Sequence, residues 1–302
     1  MDIGFLTNTL AGSVKDLGAM AAWAADNGFA FLEIGPTIPL EEKLFEEVRA
    51  KTGIRYEGFI YCRNILSENP KEAADFRAGL LERAKFGAKI GAKKIICSSG
   101  VTAKSFSAAS PADYQPENSF PEIKEALAPM IEVCEKNGVK LCFEICPMMG
   151  TVAHTPYIWN QLFDYIGSDA LGLCFDPSHL VWQMVDIYGA IKLSKGRIYH
   201  AHGKDCLIDR DRLKVTGILQ SFSTGFAGPD MPHGNRENLW WRYKLPGLGE
   251  IDWRRFVGAL LDAGYDGNIS IEHEDLTYMG SEEKIKAGLI KARNHLRAAI
   301  EG

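Results

Sequence analysis

Four metal-competent side chains stand at the ends of short apolar runs. Glu144 closes VKLCFE, Asp176 closes LGLCFD, His202 lies in IYHAHGKD and Glu272 lies in NISIEHED. An ionised group placed straight after an apolar strand needs a partner, because taking one ion out of water costs several kcal/mol. A salt bridge or a loop cap would account for any one of them. Four such groups, at the ends of consecutive neighbouring strands, would converge on one point. Three carboxylates gathered there repel one another unless a cation lies among them, and a single divalent ion is the simplest remedy. Oxygen-rich ligation with one imidazole favours Mn2+ first, with Mg2+ or Co2+ as alternatives; a closed structural zinc site prefers thiolate and imidazole.

The remaining histidines divide by position. His200, two residues before His202 on the same strand face, points inward one layer deeper and suits a hydrogen-bonded supporting role as well as a ligand contact. His154, in the loop after the Glu144 strand, is a candidate substrate contact, whereas His273 should point outward and be structural. His233 and His295 fall in a long insertion and in the last helix, where solvent exposure is expected. Trp240 and Trp241 offer an aromatic surface that either binds a ligand ring or fastens the insertion to its surroundings, and Trp241 is taken as a ligand-binding candidate. Trp23 and Trp159 lie in helical patterns and are expected in the core. The Ser98-Ser99-Gly100 turn is a candidate for part of a phosphate site.

These residues need a frame, and the chain supplies a repeated join. A helical pattern ends at a glycine and a β-rich run follows within a few residues, at Gly28, Gly53, Gly91, Gly138, Gly167, Gly196 and Gly264. The runs are FLEIG, IRYEGFIY, KKIICSS, VKLCFE, LGLCFD, IYHAHGKD and NISIEHED; DIGFLTN at the start makes eight. Each is short and almost continuously apolar, as a strand covered on both faces must be. Amphipathic stretches such as SVKDLGAMAAWAADNG and PEIKEALAPMIEVCEKNG lie between them, with Ser13 and Asn69 as expected N-caps. This alternation predicts one (β/α)8 barrel over 1–302. A doubly wound open sheet would bring a glycine-rich phosphate turn after the first strand, and LTNTLAGS is not one. Two connections are long: Ser98 to Pro121, and an insertion over 206–252 after the seventh strand. The insertion leaves from the end of the barrel where such folds place their sites, so a lid or a subunit contact is expected.

The formal net charge of −5 provides no broad positive field, which argues against nucleic acid as a partner. Seven cysteines, none in a CxxC pair, read as free thiols in a reducing compartment, so the cytoplasm is expected. MDIGFLTNTL has neither the charge nor the apolar length of a signal, and no run approaches the ~20 apolar residues of a membrane helix.

The blocks FEICP, CFDPSHL, YHAHGKD and PGLGEIDW…GYDGNISIEHED, taken in order, resemble the xylose-isomerase-like barrel superfamily, and the resemblance spans nearly the whole chain. That group includes ketose 3-epimerases, inosose dehydratases and bacterial sugar phosphate isomerase/epimerase proteins. The resemblance implies a metal held by Glu144, Asp176, His202 and Glu272, with Glu144 and Glu272 doubling as the acid/base pair. It implies substrate contacts at His179 and Lys204. It leaves open an arginine used by ketose epimerases, because Arg210 and Arg212 do not match its spacing. The expected reaction is proton abstraction beside the carbonyl of a keto-sugar, followed either by reprotonation (isomerase or epimerase) or by β-elimination (lyase). Homo-oligomers and a small partner subunit occur among such relatives. A DNA-repair endonuclease of the same superfamily would need histidines from the early strands for its three zinc ions; here every histidine lies at His154 or later.

Overall fold

In the computed structural model, which describes residues 1–14, 16–105, 114–147, 150–218 and 239–302, all eight apolar runs form strands. They are β1 (Ile3–Leu6), β2 (Phe31–Ile34), β3 (Arg55–Tyr61), β4 (Lys94–Cys97), β5 (Lys140–Glu144), β6 (Leu171–Phe175), β7 (Ile198–Gly203) and β10 (Ile269–Ile271). They pair in parallel and close in the order β1-β10-β7-β6-β5-β4-β3-β2, with β2 returning to β1. The single barrel of the sequence reading is the fold, and the open sheet is not.

The seven glycine joins all adopt positive φ, between 63° and 84°, the region that ends a helix without a Cβ clash. Between joins, one helical face enters the core. The Phe120–Asn137 helix buries Ile123, Leu127, Met130, Ile131 and Cys134, a spacing of three and four; Leu127→Ala there would cost about 2–5 kcal/mol. Asn69 caps the Pro70–Ile90 helix, accepting from the N–H of Lys71 and Glu72. Ser13 is not a cap: its hydroxyl donates to the Leu10 carbonyl, and Asp16 caps the Leu17–Asp26 helix by accepting from the Ala19 N–H. Aspartate three residues further on reaches that N–H directly, so the helix starts later than the serine predicted. Trp159 is fully buried and Trp23 packs partly buried against the same core.

The insertion begins as an antiparallel ribbon. β8 (Asp205–Ile208) pairs with β9 (Trp241–Lys244), placing Cys206 opposite Tyr243 and Ile208 opposite Trp241. A short helix, Arg210–Thr216, follows β8; residues 219–238, including His233, lie outside the described residues. Trp182, Cys206, Ile208, Leu239, Trp240, Trp241 and Tyr243 form a separate buried apolar cluster beneath the ribbon. Behind it, the buried Asp205 carboxylate accepts from the N–H groups of Cys206, Gly247 and Ile251 and from Trp253 Nε1. That carboxylate is the physical reason the YHAHGKD and PGLGEIDW blocks belong together: one staples the other to the barrel. Among the described residues, no helix is long and apolar enough to cross a membrane.

Candidate metal centre

Strands β5, β6, β7 and β10 are neighbours, and their carboxyl ends bring Glu144, Asp176, His202 and Glu272 together. One ligand-type atom from each lies within 4.8 Å of the others. His202 Nδ1 sits 3.0 Å from Glu144 Oε2 and 3.1 Å from Glu272 Oε2, with Asp176 Oδ2 at 3.9 Å. Local structure aims each group. Asp176 is the N-cap of the Pro177–Trp182 turn: its Oδ1 accepts from the Ser178 N–H and hydroxyl, which leaves Oδ2 for the cluster. His179, in the first turn of that helix, places Nε2 3.3 Å from Glu144 Oε1 and 3.4 Å from Asp176 Oδ2.

Lys204, 2% exposed, brings a buried cation to the cluster. Its ammonium lies 2.7 Å from Glu272 Oε2 and 2.9 Å from Asp176 Oδ2. Burial disfavours the Glu272 carboxylate, yet Lys204 and His202 outweigh it and bring its pKa down to about 2. Burial likewise opposes charge on Glu144, while His202 and His179 hold that carboxyl well below the usual range. At Asp176 burial prevails over Lys204 and His179, and the pKa rises.

Glu33 is a participant that the sequence reading missed. It sits on β2, fully buried, with Oε2 2.7 Å from His200 Nε2 and its two oxygens 3.3 and 3.2 Å from His202 Nε2. The signal was present: FLEIG carries an acid inside an apolar run, the same anomaly that marked Glu144, Asp176 and Glu272. His200 lies one layer deeper than His202, and of the two roles the sequence left open its contact with Glu33 is the hydrogen-bonded one. Tyr243, on β9, is a second missed residue; its hydroxyl lies 2.8 Å from His179 Nδ1.

Other candidates sit further out. His154 stacks on Tyr114, its Nε2 3.3 Å from the Tyr114 hydroxyl, and burial lowers its pKa to about 4. Trp241 stacks on Trp182 at 4.9 Å with the rings 7° apart, and it touches Tyr243 at 4.8 Å. Arg210 forks onto Glu250, and Arg212 lies 3.8 Å from Asp209. Ser99 is spent on structure: its hydroxyl accepts from the N–H of Val152 and Ala153. His273 is buried, its Nδ1 accepting from the Asp275 N–H, and His295 is exposed.

The residues present fit a divalent ion. Both Glu144 oxygens, His179 Nε2 and His202 Nδ1 are buried without a hydrogen bond, a concentration of unsatisfied atoms that apolar packing alone does not tolerate. Cys174, His200 and His202 also bring ligand-type atoms within 4.8 Å. That trio suits a metal less well: burial pushes the Cys174 thiol well above its ordinary range, and His200 Nε2 is committed to Glu33.

A closed parallel barrel that gathers carboxylates and an imidazole at the carboxyl ends of adjacent strands belongs with the TIM barrels that build their sites on that rim. The chain belongs to the xylose isomerase-like TIM barrel family, whose sequence profile matches residues 21–298. It is similar to the uncharacterized protein YfiH of Bacillus subtilis (strain 168), 33% identical over 121 residues that cover 39% of this chain and 36% of that protein. It is 26% identical to inosose dehydratase of Clostridium perfringens (strain 13 / Type A) over 164 residues, 52% of this chain and 48% of that protein. The matches therefore span about half or less of the length of these curated relatives. D-psicose 3-epimerase of Clostridium cellulolyticum H10, crystallised with D-tagatose, has the same fold: TM-score 0.71 at 17% identity, covering 99% of each chain.

Proposed function

We propose that the chain is a divalent-metal-dependent sugar isomerase or epimerase that removes and returns a proton beside a carbonyl. The observation that carries this reading is the pair Glu144 and Glu272, both within about 3 Å of His202 Nδ1 and reaching it from different strands. Glu144, Asp176, His202 and Glu272 would hold one divalent cation, Mn2+ by the oxygen-rich donor set, whose Lewis acidity stabilises negative charge next to a carbonyl.

The chain's own residues do the proton work. Lys204 beside Glu272 favours the ionised carboxylate that can accept a proton from carbon. Glu144, on the other side of His202, would take a proton from the His179 imidazole 3.3 Å from its Oε1 and deliver it to the opposite face, while Glu272 keeps the abstracted one, and inversion follows. Each positioned acid/base group contributes about 10²–10⁴ in rate. In this reading His179 Nε2 and Lys204 Nζ contact substrate hydroxyls, His154 lies at the loop edge of the pocket, and Trp241 forms a wall behind Tyr243.

The second reading is a lyase acting on a keto-sugar, inosose or 3-keto-glycoside, favoured by the inosose dehydratase relatives. Proton NMR of candidate keto-sugars in D2O separates the two. Deuterium entry at one carbon with inversion marks the epimerase, and a new alkene or a released aglycone marks the lyase. Absence of both from the metal-loaded protein across a keto-sugar panel would remove the proposal.

The reading includes a single domain over 1–302 with the insertion at 206–252 on the active-site face. It places the chain in the cytoplasm, supported by seven free cysteines. A homo-oligomer, with a small partner subunit as the variant arrangement, completes it; sedimentation velocity tests that part.

A further inference from the structure

Glu33 and the two imidazoles belong to different parts of the barrel wall. β2 and β7 are separated in the closed order by β1 and β10, so Glu33 reaches across the barrel interior to meet His200 and His202. Among the described residues no lysine or arginine pairs with it; its charged-group contacts are His200 Nε2 at 2.7 Å and His202 Nε2 at 3.2 Å. A buried carboxylate costs several kcal/mol to desolvate, and an aliphatic residue would fill the same space without that cost.

An ionised carboxylate only accepts hydrogen bonds. With Glu33 against Nε2, a neutral His202 keeps its proton on Nε2 and its lone pair on Nδ1. Nδ1 is the atom that faces Glu144 and Glu272 and lacks a hydrogen bond of its own. His200, fully buried one layer deeper on the same strand, places its Nε2 2.7 Å from Oε2, an oxygen that His202 Nε2 also reaches at 3.2 Å, and so fixes the carboxylate's orientation.

We infer that Glu33 is the positioning residue of the metal centre: it sets the tautomer and ring orientation of His202, with His200 as the strut that holds Glu33 in place. This rests on the metal-centre reading above and adds to it a residue that touches neither metal nor substrate.

The test uses the full chain stripped of metal and titrated with Zn2+ against a chromophoric chelator. Wild type takes up one equivalent, and Glu33→Gln, close to isosteric, binds about 10–100-fold more weakly. The control is Glu57→Gln, which breaks the part-buried pair with Lys94 on β3 and β4 and removes a group that contacts neither Glu33 nor His202. It keeps wild-type affinity even where it lowers the melting temperature. In zinc-loaded wild type, 15N NMR finds the His202 proton on Nε2, shifted downfield and slow to exchange. In Glu33→Gln that signal moves upfield and exchanges faster, and Glu33→Asp, which keeps the charge one methylene short, falls between. Equal affinity in wild type and Glu33→Gln overturns the inference, as does equal loss in Glu33→Gln and Glu57→Gln. A His202 proton on Nδ1 in the zinc-loaded wild type overturns it without any variant having to fold. Wild type that binds no metal removes the metal-centre reading itself, a distinct result.

Discussion

The Tyr243 hydroxyl lies 2.8 Å from His179 Nδ1, so the ribbon that follows β7 reaches the metal centre through a side-chain hydrogen bond. The other ring nitrogen of His179 faces Glu144 and Asp176, and the Lys204 ammonium lies 4.6 Å from the centre of the Tyr243 ring. Tyr243→Phe would preserve the packing on Trp241 and strand a buried imidazole nitrogen, a loss of about 1–3 kcal/mol. Steady-state kinetics should show KM raised and kcat/KM reduced about tenfold, equivalent to 1.4 kcal/mol. Unchanged kinetics would detach the ribbon from substrate binding.

Glu272→Gln would remove the proposed proton acceptor while keeping its shape. The variant should fold with wild-type circular dichroism and lose turnover by about 10²–10⁴. Deuterium exchange into the substrate should fall in parallel. A variant that epimerises at the normal rate would show that Glu272 does not carry the proton.

How far these residues can be read from sequence depends on which physical constraint places them. Glu144, Asp176 and Glu272 stand out because a charged side chain ending an apolar strand violates local burial, and the barrel rim is where that violation is resolved. All eight strands show for the same reason: each is short, apolar and preceded by a helix-ending glycine or the chain start. Glu33 carries the same local signature, but its meaning needs barrel closure, which alone brings β2 opposite β7. Tyr243 is hidden more deeply. Its approach to His179 depends on the antiparallel register of β8 and β9, which is set by pairing between segments on either side of residues 219–238. Ser13 failed as a cap because Asp16 competes for the same helix start.

Metal uptake should release protons. Burial opposes charge on His202, but Cys174, Glu33 and Glu144 outweigh it and raise its pKa well above the ordinary value. The raised pKa favours the protonated ring before an ion binds, and a ligand imidazole must lose that proton. Affinity should climb with pH, by up to about tenfold per unit for one proton displaced. Calorimetry in buffers of different ionisation enthalpy counts the protons. A binding constant flat between about pH 6 and 8 would contradict the assignment of His202 as ligand.

Asp205 tests the frame and not the chemistry. Asp205→Ala would leave the donors of Cys206, Gly247, Ile251 and Trp253 without their acceptor in a buried segment. Urea unfolding should show a loss of more than about 3 kcal/mol. A loss under about 1 kcal/mol would mean the PGLGEIDW segment is held by other contacts.

Anomalous diffraction at the manganese edge, from crystals grown with Mn2+, would locate the ion itself. One strong peak is expected, bounded by Glu144, Asp176, His202 Nδ1 and Glu272. An empty map at that point, or a peak beside Cys174 and His200 instead, would contradict the proposed centre.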